Sequence, residues 1–275
     1  MPELPEVETV RRGLEQMVLG ATIQEVTAPY PKIINGDLNN FCQLLRGRKI
    51  LSIDRRGKYL LFNLSGELSL ISHLRMEGKY FVKLSDEPVE KHTHVIFSLT
   101  DGRQLRYNDV RKFGRMELVP TAQKFEFAGI KKLGPEPTED TFLVKAFFDS
   151  LCKKKKAIKT ALLDQTLVAG LGNIYADEVL WLSRIHPETP ACHLTQDETK
   201  LLHDNIIKEL AEAVEAGGTT IRTYTDAFQH TGSFQFDLHV YGKKGKPCER
   251  CGTAIKKIVV GQRGTHFCPL CQKVE

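Results

Sequence analysis

The sequence has little of what marks several large classes of protein. No stretch approaches the ~20 apolar residues of a membrane span, which excludes a spanning helix. The first residues are polar and acidic and lack the apolar run of a secretory signal, so export is not expected. Cysteine occurs only seven times, an odd number. That argues against a disulfide framework and for a reducing, cytoplasmic setting. There is no internal repeat and no low-complexity tract, which excludes a solenoid or a disordered scaffold.

What is present is ordinary for a soluble globular chain: 41% hydrophobic and 27% charged residues over 275 positions. That length accommodates two domains with separate cores better than one. The net charge of +5 is modest, but its distribution is informative. Residues 241–275 hold eight Lys/Arg against two glutamates, a local +6. A second cluster runs through Arg46, Arg48, Lys49, Arg55, Arg56 and Lys58, and a third is Lys153–Lys156. Lysine runs are usually solvated surface. Three clusters on a nearly neutral chain point instead to a polyanion, with nucleic acid the first choice.

The chain changes texture along its length. Leu4, Val7, Val10, Leu14 and Val18 are spaced by three and four, which predicts an amphipathic helix ending near Gly20. From 21 to about 120 short alternating segments follow, such as "KYLLFNL" and "HVIFSLT", separated by turn pairs like Ser65-Gly66 and Asp101-Gly102. Close turns between successive strands predict an antiparallel sandwich or barrel with the first helix packed on it. The stretch 121–150 is transitional, with "LGPEPTED" reading as a linker. Beyond it the pattern is helical, including a capping box at Thr195-Gln-Asp-Glu198 and a stop at Gly217-Gly218. The last 35 residues are too few for a core of their own without a staple.

Cys248-x2-Cys251 and Cys268-x2-Cys271, sixteen residues apart, form the strongest local signal. Two such turns present four thiolates to one structural zinc ion. The alternative, two surface disulfides, fits a reducing setting poorly. Between the pairs, "AIKKIVVGQRGTHF" predicts a β-hairpin turning at Gly261–Gly264, with Arg263 at the tip and suited to a phosphate.

Other signals are open to two readings. Pro5 suits the first turn of a helix, and Glu3, Glu6 and Glu8 suit its positive end. Equally, trimming Met1 leaves Pro2 with a free secondary amine beside Glu3, a Schiff-base nucleophile with its own acid. In "VAGLGNIYADE", Asn173 follows Gly170 and Gly172 and reads as an N-cap at a helix start that doubles as an anion site. Met76 and Phe113 lie in polar, turn-like surroundings, either as core or as wedges that fill the gap left by an extruded base. Lys58 by default is a solvated strand-end lysine. His73, His92 and His94 have no thiol or carboxylate spaced to complete a metal site, so satisfied or phosphate-facing roles are expected.

Taken in order, MPELPEVE, "RRGKYL", "SHLRMEG", "DVRKFG", "LVAGLGNIYADE", "GGTTIRTY" and the four-cysteine "RGTHFCPLC" finger resemble bacterial formamidopyrimidine-DNA glycosylases over essentially the whole chain. The resemblance implies an α+β fold: an N-terminal antiparallel β-sandwich with a packed N-terminal helix, then a helix–two-turn–helix module, then a four-cysteine zinc β-hairpin. The implied boundaries are 1–130, a linker at 131–150, 151–237 and 238–275, with DNA in a basic cleft between the domains. It further implies a monomeric, nucleoid-associated enzyme of the bacterial cytoplasm. Such an enzyme removes oxidised purines from double-stranded DNA and cuts the strand by β- and δ-elimination.

By the same resemblance, Pro2 is the nucleophile, Glu3 the acid at the sugar ring oxygen, Lys58 a proton donor and phosphate contact, and Arg263 the finger-tip phosphate ligand. His73, His92, Lys154 and Asn173 resemble DNA contacts. Met76, Arg111 and Phe113 resemble the void-filling set, with Arg111 facing the orphaned cytosine. Thr219, Thr220, Arg222, Thr223 and Tyr224 resemble the loop that covers the extruded lesion. One departure from the family pattern is Gln262, where a second glycine is expected before the arginine. Two rivals remain at this level: the sister glycosylase for oxidised pyrimidines, endonuclease VIII, and a non-catalytic zinc-ribbon protein that binds damaged DNA.

Overall fold

Val7, Val10, Leu14 and Val18 share one face at helical spacing, and burying that stripe fixes the first element. In the computed structural model, which describes residues 1–219 and 233–273, all four lie in the core on α1 (Leu4–Val18). Gly20 ends the segment at φ +78°, where only glycine is at ease. The chain forms two compact units, Met1–Lys131 with Gly217–Ser233, and Lys132–Ala216 with Phe234–Glu275.

The first unit is an antiparallel sandwich. One sheet has the order β1-β6-β7-β5, from β1 (Ile23–Thr27), β5 (Lys79–Leu84), β6 (Thr93–Leu99) and β7 (Arg103–Asn108). The other runs β2-β3-β4-β8, from β2 (Ile50–Arg56), β3 (Tyr59–Leu64), β4 (Leu68–His73) and β8 (Arg115–Pro120). Alternation puts Val95, Phe97, Leu105 and Tyr107 of one sheet and Ile53, Phe62, Leu70 and Met116 of the other into a single core with α1. Short α2 (Leu38–Leu45), capped by the Asp37 carboxylate accepting from Asn40 N–H at 2.7 Å, adds Phe41 and Leu45 to that core. The outer face of the second sheet is covered as well: Leu61 and Ile71 pack with Ile130 of α3 (Ala128–Lys131). β1 is the strand that the alternating pattern did not reveal, because "IQEVT" buries only Ile23 and Val26, three positions apart.

The second unit is helical: α4 (Val144–Leu151), α5 (Ile158–Leu162), α6 (Asn173–Leu182) and α7 (Gln196–Glu215), followed by the hairpin β9 (Lys256–Val260) and β10 (Arg263–Phe267). Residues 131–150, expected as a linker, carry α4, and Phe142, Phe147 and Leu151 lie in this unit's core. Aromatic side chains of that size find too much burial to stay in a solvated connection. Thr195 caps α7 with its hydroxyl accepting from Glu198 N–H, while the Glu198 carboxylate accepts from Thr195 N–H at 2.8 Å. The capping box falls where its spacing put it.

Candidate active site and zinc finger

The head of α1 is sealed by its own third residue. The Glu6 carboxylate accepts from Glu3 N–H at 2.8 Å. Its other oxygen accepts from Thr219 N–H at 2.8 Å and the Thr219 hydroxyl at 3.0 Å. Glu6 is 2% exposed, and a carboxylate so buried is tenable only with donors of this kind. Pro2 and Glu3 are buried beside it, while Met1 is 46% exposed. Gly218 precedes Thr219 at φ +75°, and a Cβ there would stand 2.8 Å from the Glu6 carboxylate. Glycine is therefore required on both counts. Of the expected lesion loop, Thr219 is thus held on the first unit; Thr220, Arg222, Thr223 and Tyr224 lie outside the described residues.

Lys58 follows Gly57 (φ +54°) in the turn between β2 and β3 and is 5% exposed, not solvated. His73, at the end of β4, accepts from Arg75 N–H at Nδ1 (3.0 Å). Burial, reinforced by the charges of Arg75 and Lys58, pushes the His73 imidazole down to about 3, so it is neutral and acts as an acceptor.

The loops that carry Met76 and Phe113 are built around one phenol. A Cβ on Gly78 would lie 2.2 Å from the Tyr107 hydroxyl, and a Cβ on Gly114 would lie 1.7 Å from it. Both loops can close on Tyr107 only because these positions are glycine. Buried Asp109 then orders the second loop, accepting from Arg111 N–H at 3.0 Å and Gly114 N–H at 2.8 Å. The loop presents Phe113 outward, 47% exposed, with the Arg111 guanidinium 4.8 Å over its ring. Arg75 and Lys112, with φ +55° and +59°, sit in the left-handed region, a kind of strain that clusters at functional loops. Met76 is half-buried on the other loop, and half-buried His92 accepts the Asp109 N–H through its carbonyl.

The basic clusters are less free than their sequence suggests. Arg55 is paired with Glu8 at 3.1 Å, and Arg48 donates to the Leu44 and Ser65 carbonyls. Lys154 and Lys156 share Asp164 at 3.5 and 2.9 Å; against the upward push of burial, hydrogen bonds from Lys156 and from the Thr166 hydroxyl and N–H hold that carboxyl below its usual range.

In the second unit the expected N-cap role of Asn173 belongs to Gly172; Asn173 is already the first helical residue. Its amide instead donates to the Gly264 carbonyl at 2.9 Å, beside Arg263. Lys159, with no exposed surface, donates to Asp177 at 2.6 Å, to the Thr265 hydroxyl at 2.8 Å and to the Gly264 carbonyl at 3.1 Å. Asp177 in turn accepts from His266 N–H at 2.8 Å. This buried network locks β10 to α5 and α6 and leaves Arg263 exposed at the hairpin tip. The turn is tighter than the expected Gly261–Gly264: Val260 pairs directly with Arg263, leaving Gly261 (φ +53°) and Gln262 (φ +63°) as the two turn residues. Two positive φ values define the turn that follows the strand twist, and Gln262 bears the strain of the second.

The four cysteine sulfurs all lie within 4.8 Å of one another, with Cys248–Cys271 at 3.9 Å and Cys251–Cys268 at 3.5 Å. A tetrahedral zinc with Zn–S near ~2.3 Å needs sulfurs about 3.8 Å apart, so the residues fit the ion. All four positions are thiolate, which leaves none open for chemistry. Trp181 Nε1–H donates to Cys248 Sγ at 3.4 Å, and Arg250 stacks 3.6 Å over the indole. The finger is thereby hooked to α6.

Matches to family models run along the chain: the formamidopyrimidine-DNA glycosylase N-terminal domain over 1–116, its H2TH domain over 133–225, and the zinc finger found in FPG and IleRS over 245–274. The chain is 66% identical to the formamidopyrimidine-DNA glycosylase of Ligilactobacillus salivarius over 100% of both chains. It superposes with a TM-score of 0.95 on Lactococcus lactis Fpg in complex with abasic-site DNA, at 50% identity over 98% of this chain and 99% of that one. A Lactococcus lactis Fpg complex with Fapy-dG DNA gives 0.94 and 49%, over 98% of this chain and 100% of that one. The chain belongs to the formamidopyrimidine-DNA glycosylase family. No helix among the described residues is long and apolar enough to cross a membrane.

Tyr107, Asp109, Lys159 and Asp177 were not singled out by sequence reading, and Glu6 was read only as an acid at the positive end of a helix, not as a tie to Thr219. Glu6 alone had a signal, three residues after the helix cap. The others act across distances that spacing does not encode.

Three outcomes are expected. Lys159→Met, which strips Asp177 of its buried ammonium partner, should cost about 3–5 kcal/mol, and the Lys159→Met/Asp177→Leu double variant should recover most of it; equal melting points for the single and double variants would contradict this. Gln262→Gly should stabilise the finger by about 1 kcal/mol, read as a higher free energy for metal-coupled unfolding; no gain would mean that the turn is unstrained. His73 is held neutral in the fold, whereas the unfolded chain takes up its proton below about 6.5. Its stabilisation is therefore complete above that pH and is lost as pH falls toward about 3. At about pH 5 the loss should approach 2 kcal/mol, and His73→Gln should flatten that slope in pH-dependent denaturant unfolding.

Proposed function

We propose that the chain excises oxidised purines, 8-oxoguanine and formamidopyrimidines, from double-stranded DNA and then cleaves the strand at the resulting site. The observation that carries this reading is the head of α1, where Pro2 and Glu3 are buried side by side and Glu6 ties the cap to Thr219. Removal of Met1 turns Pro2 into a secondary amine titrating near ~8, so a usable neutral fraction exists at physiological pH. The target nucleotide leaves the stack, because its sugar carbon is out of reach inside the duplex.

The Pro2 nitrogen then bonds to the anomeric carbon, and the C–N bond to the damaged base breaks. Glu3 gives a proton to the ring oxygen as the sugar opens, leaving an iminium. This cation draws electrons from the adjacent C–H bond; loss of that proton expels the phosphate on one side, and a second elimination expels the other. Lys58 donates a proton and contacts phosphate, and Arg263 holds phosphate from the hairpin tip. Met76 and Phe113 fill the gap in the duplex while Arg111 hydrogen-bonds the orphaned cytosine. His73, His92, Lys154 and Asn173 contact the DNA backbone. When bound, zinc supplies cross-linking only, holding Arg263's hairpin in shape.

In this reading the first unit is the catalytic domain, the helical region binds DNA and the finger supports it. The enzyme works as a monomer at the nucleoid in the cytoplasm.

On a duplex carrying one 8-oxoguanine opposite cytosine, the protein should release the base and leave strand ends with phosphate on both sides. Glu3→Gln should largely abolish base release, and Pro2→Gly should slow it while sparing binding. Full activity in both variants, or release confined to an oxidised-pyrimidine duplex, would overturn the reading. Cys248→Ser should lose zinc and DNA affinity together, measured by metal analysis and gel shift; tight binding without zinc would count against the finger's role.

A further inference from the structure

The excision chemistry uses Arg111 and Phe113 but leaves the residue between them without a role. Lys112 holds φ +59°, a left-handed conformation that is costly for a lysine and free for a glycine. Its side chain turns back on the protein: the ammonium lies over the Tyr30 ring, 4.6 Å from the centroid. Tyr30 leads into the short turn Pro31–Ile33 after β1, and its ring packs 5.3 Å from that of His94.

His94 completes the arrangement from β6. It is 4% exposed, and its Nε2 stands 2.8 Å from the Asp109 carbonyl. A carbonyl only accepts, so Nε2 carries the hydrogen. The same carbonyl accepts the Lys112 N–H at 3.2 Å, closing a turn with Val110 and Arg111 at its centre. Lys112 is thus held twice, at its backbone through His94 and at its ammonium through Tyr30, and the two holders pack on each other. The Asp109 carboxylate orders the loop independently, through the Arg111 and Gly114 N–H groups.

We propose that Tyr30 and His94 are positioning residues that clamp the turn at Lys112 and thereby set how strongly the enzyme prefers cytosine opposite the lesion. The proposal rests on the reading of Arg111 given above. Arginine offers only hydrogen-bond donors. On the edge left by the lost guanine, cytosine presents two adjacent acceptors, O2 and N3, whereas adenine presents one, N1, beside a donor. An arginine on a loose turn can find one acceptor on either base. One on a fixed turn meets both acceptors of cytosine and meets the donor of adenine head-on, so the preference depends on holding the backbone as well as on the guanidinium.

The test is single-turnover base excision by the full-length, zinc-loaded protein, with 8-oxoguanine placed opposite cytosine or opposite adenine. The quantity read is the ratio of the two rates. A loss of folded protein lowers both rates by the same factor and cancels in that ratio. Tyr30→Leu should lower the ratio about threefold, while Tyr30→Phe, which keeps the ring face, should retain it. Lys112→Met should match Tyr30→Leu, and the Tyr30→Leu/Lys112→Met double variant should be no worse than either, because both remove one contact. His94→Leu should lower the ratio about tenfold; if that buried change prevents folding, Tyr30→Leu and Lys112→Met carry the test. Arg111→Ala gives the floor. A full ratio in Tyr30→Leu and Lys112→Met beside a collapsed one in Arg111→Ala would overturn the clamp and leave the reading of Arg111 standing. An unchanged ratio in Arg111→Ala would overturn that reading and the clamp with it.

Discussion

The Glu6 carboxylate binds three donors at once, the Glu3 N–H and the Thr219 N–H and hydroxyl, in a place with almost no solvent. Nearly everything chemical about the first unit depends on that arrangement. It fixes the backbone of Glu3, and so the position of Pro2 one residue earlier, the pair proposed as acid and nucleophile. It also fastens the residue that begins the segment after α7, 213 positions away in sequence. A buried carboxylate with strong donors is worth little net energy but is costly to disturb, which makes it a means of positioning more than of stabilising. Gly218 gives way to it: the space a side chain would fill is taken by Glu6.

The second unit applies the same physics with the charge reversed. Lys159 is an ammonium without solvent, and it is tenable because Asp177, Thr265 and Gly264 satisfy its three protons. The result is a hairpin whose exposed tip is held by a buried ion pair at one end and a four-sulfur cluster at the other. A hairpin of two five-residue strands has no core to hold its own shape, so the rigidity comes from these two attachments.

Much of this was legible beforehand, and for reasons that can be named. The stripe Val7–Val10–Leu14–Val18, the strands on either side of Ser65-Gly66, the Thr195 capping box and the paired CxxC turns are local patterns whose physics is complete within a few residues. Pro2 and Glu3 had a local signal that left two readings open, and Lys58 had none; the resemblance is what singled out all three. What stayed hidden was long-range. Tyr107 matters because two glycines, one before it and one after it, open space at its hydroxyl; Asp109 matters because its carboxylate turns back on its own loop. Asn173 read as a cap because the sequence shows a helix start, but not that a carbonyl of the hairpin waits opposite its amide. The strain on Gln262 was visible as a departure at one position, while its cause, a two-residue turn tighter than expected, needed the strand register.

The account's central claim is that the buried N-terminal proline is the nucleophile. The most direct measurement is borohydride trapping on a duplex with one 8-oxoguanine opposite cytosine, followed by peptide mapping of the adduct by mass spectrometry. The account predicts a single covalent adduct on the peptide that begins with Pro2, and none with undamaged duplex. An adduct mapping to a lysine elsewhere, or no adduct from Met-trimmed, zinc-loaded protein that still binds the duplex, would contradict it.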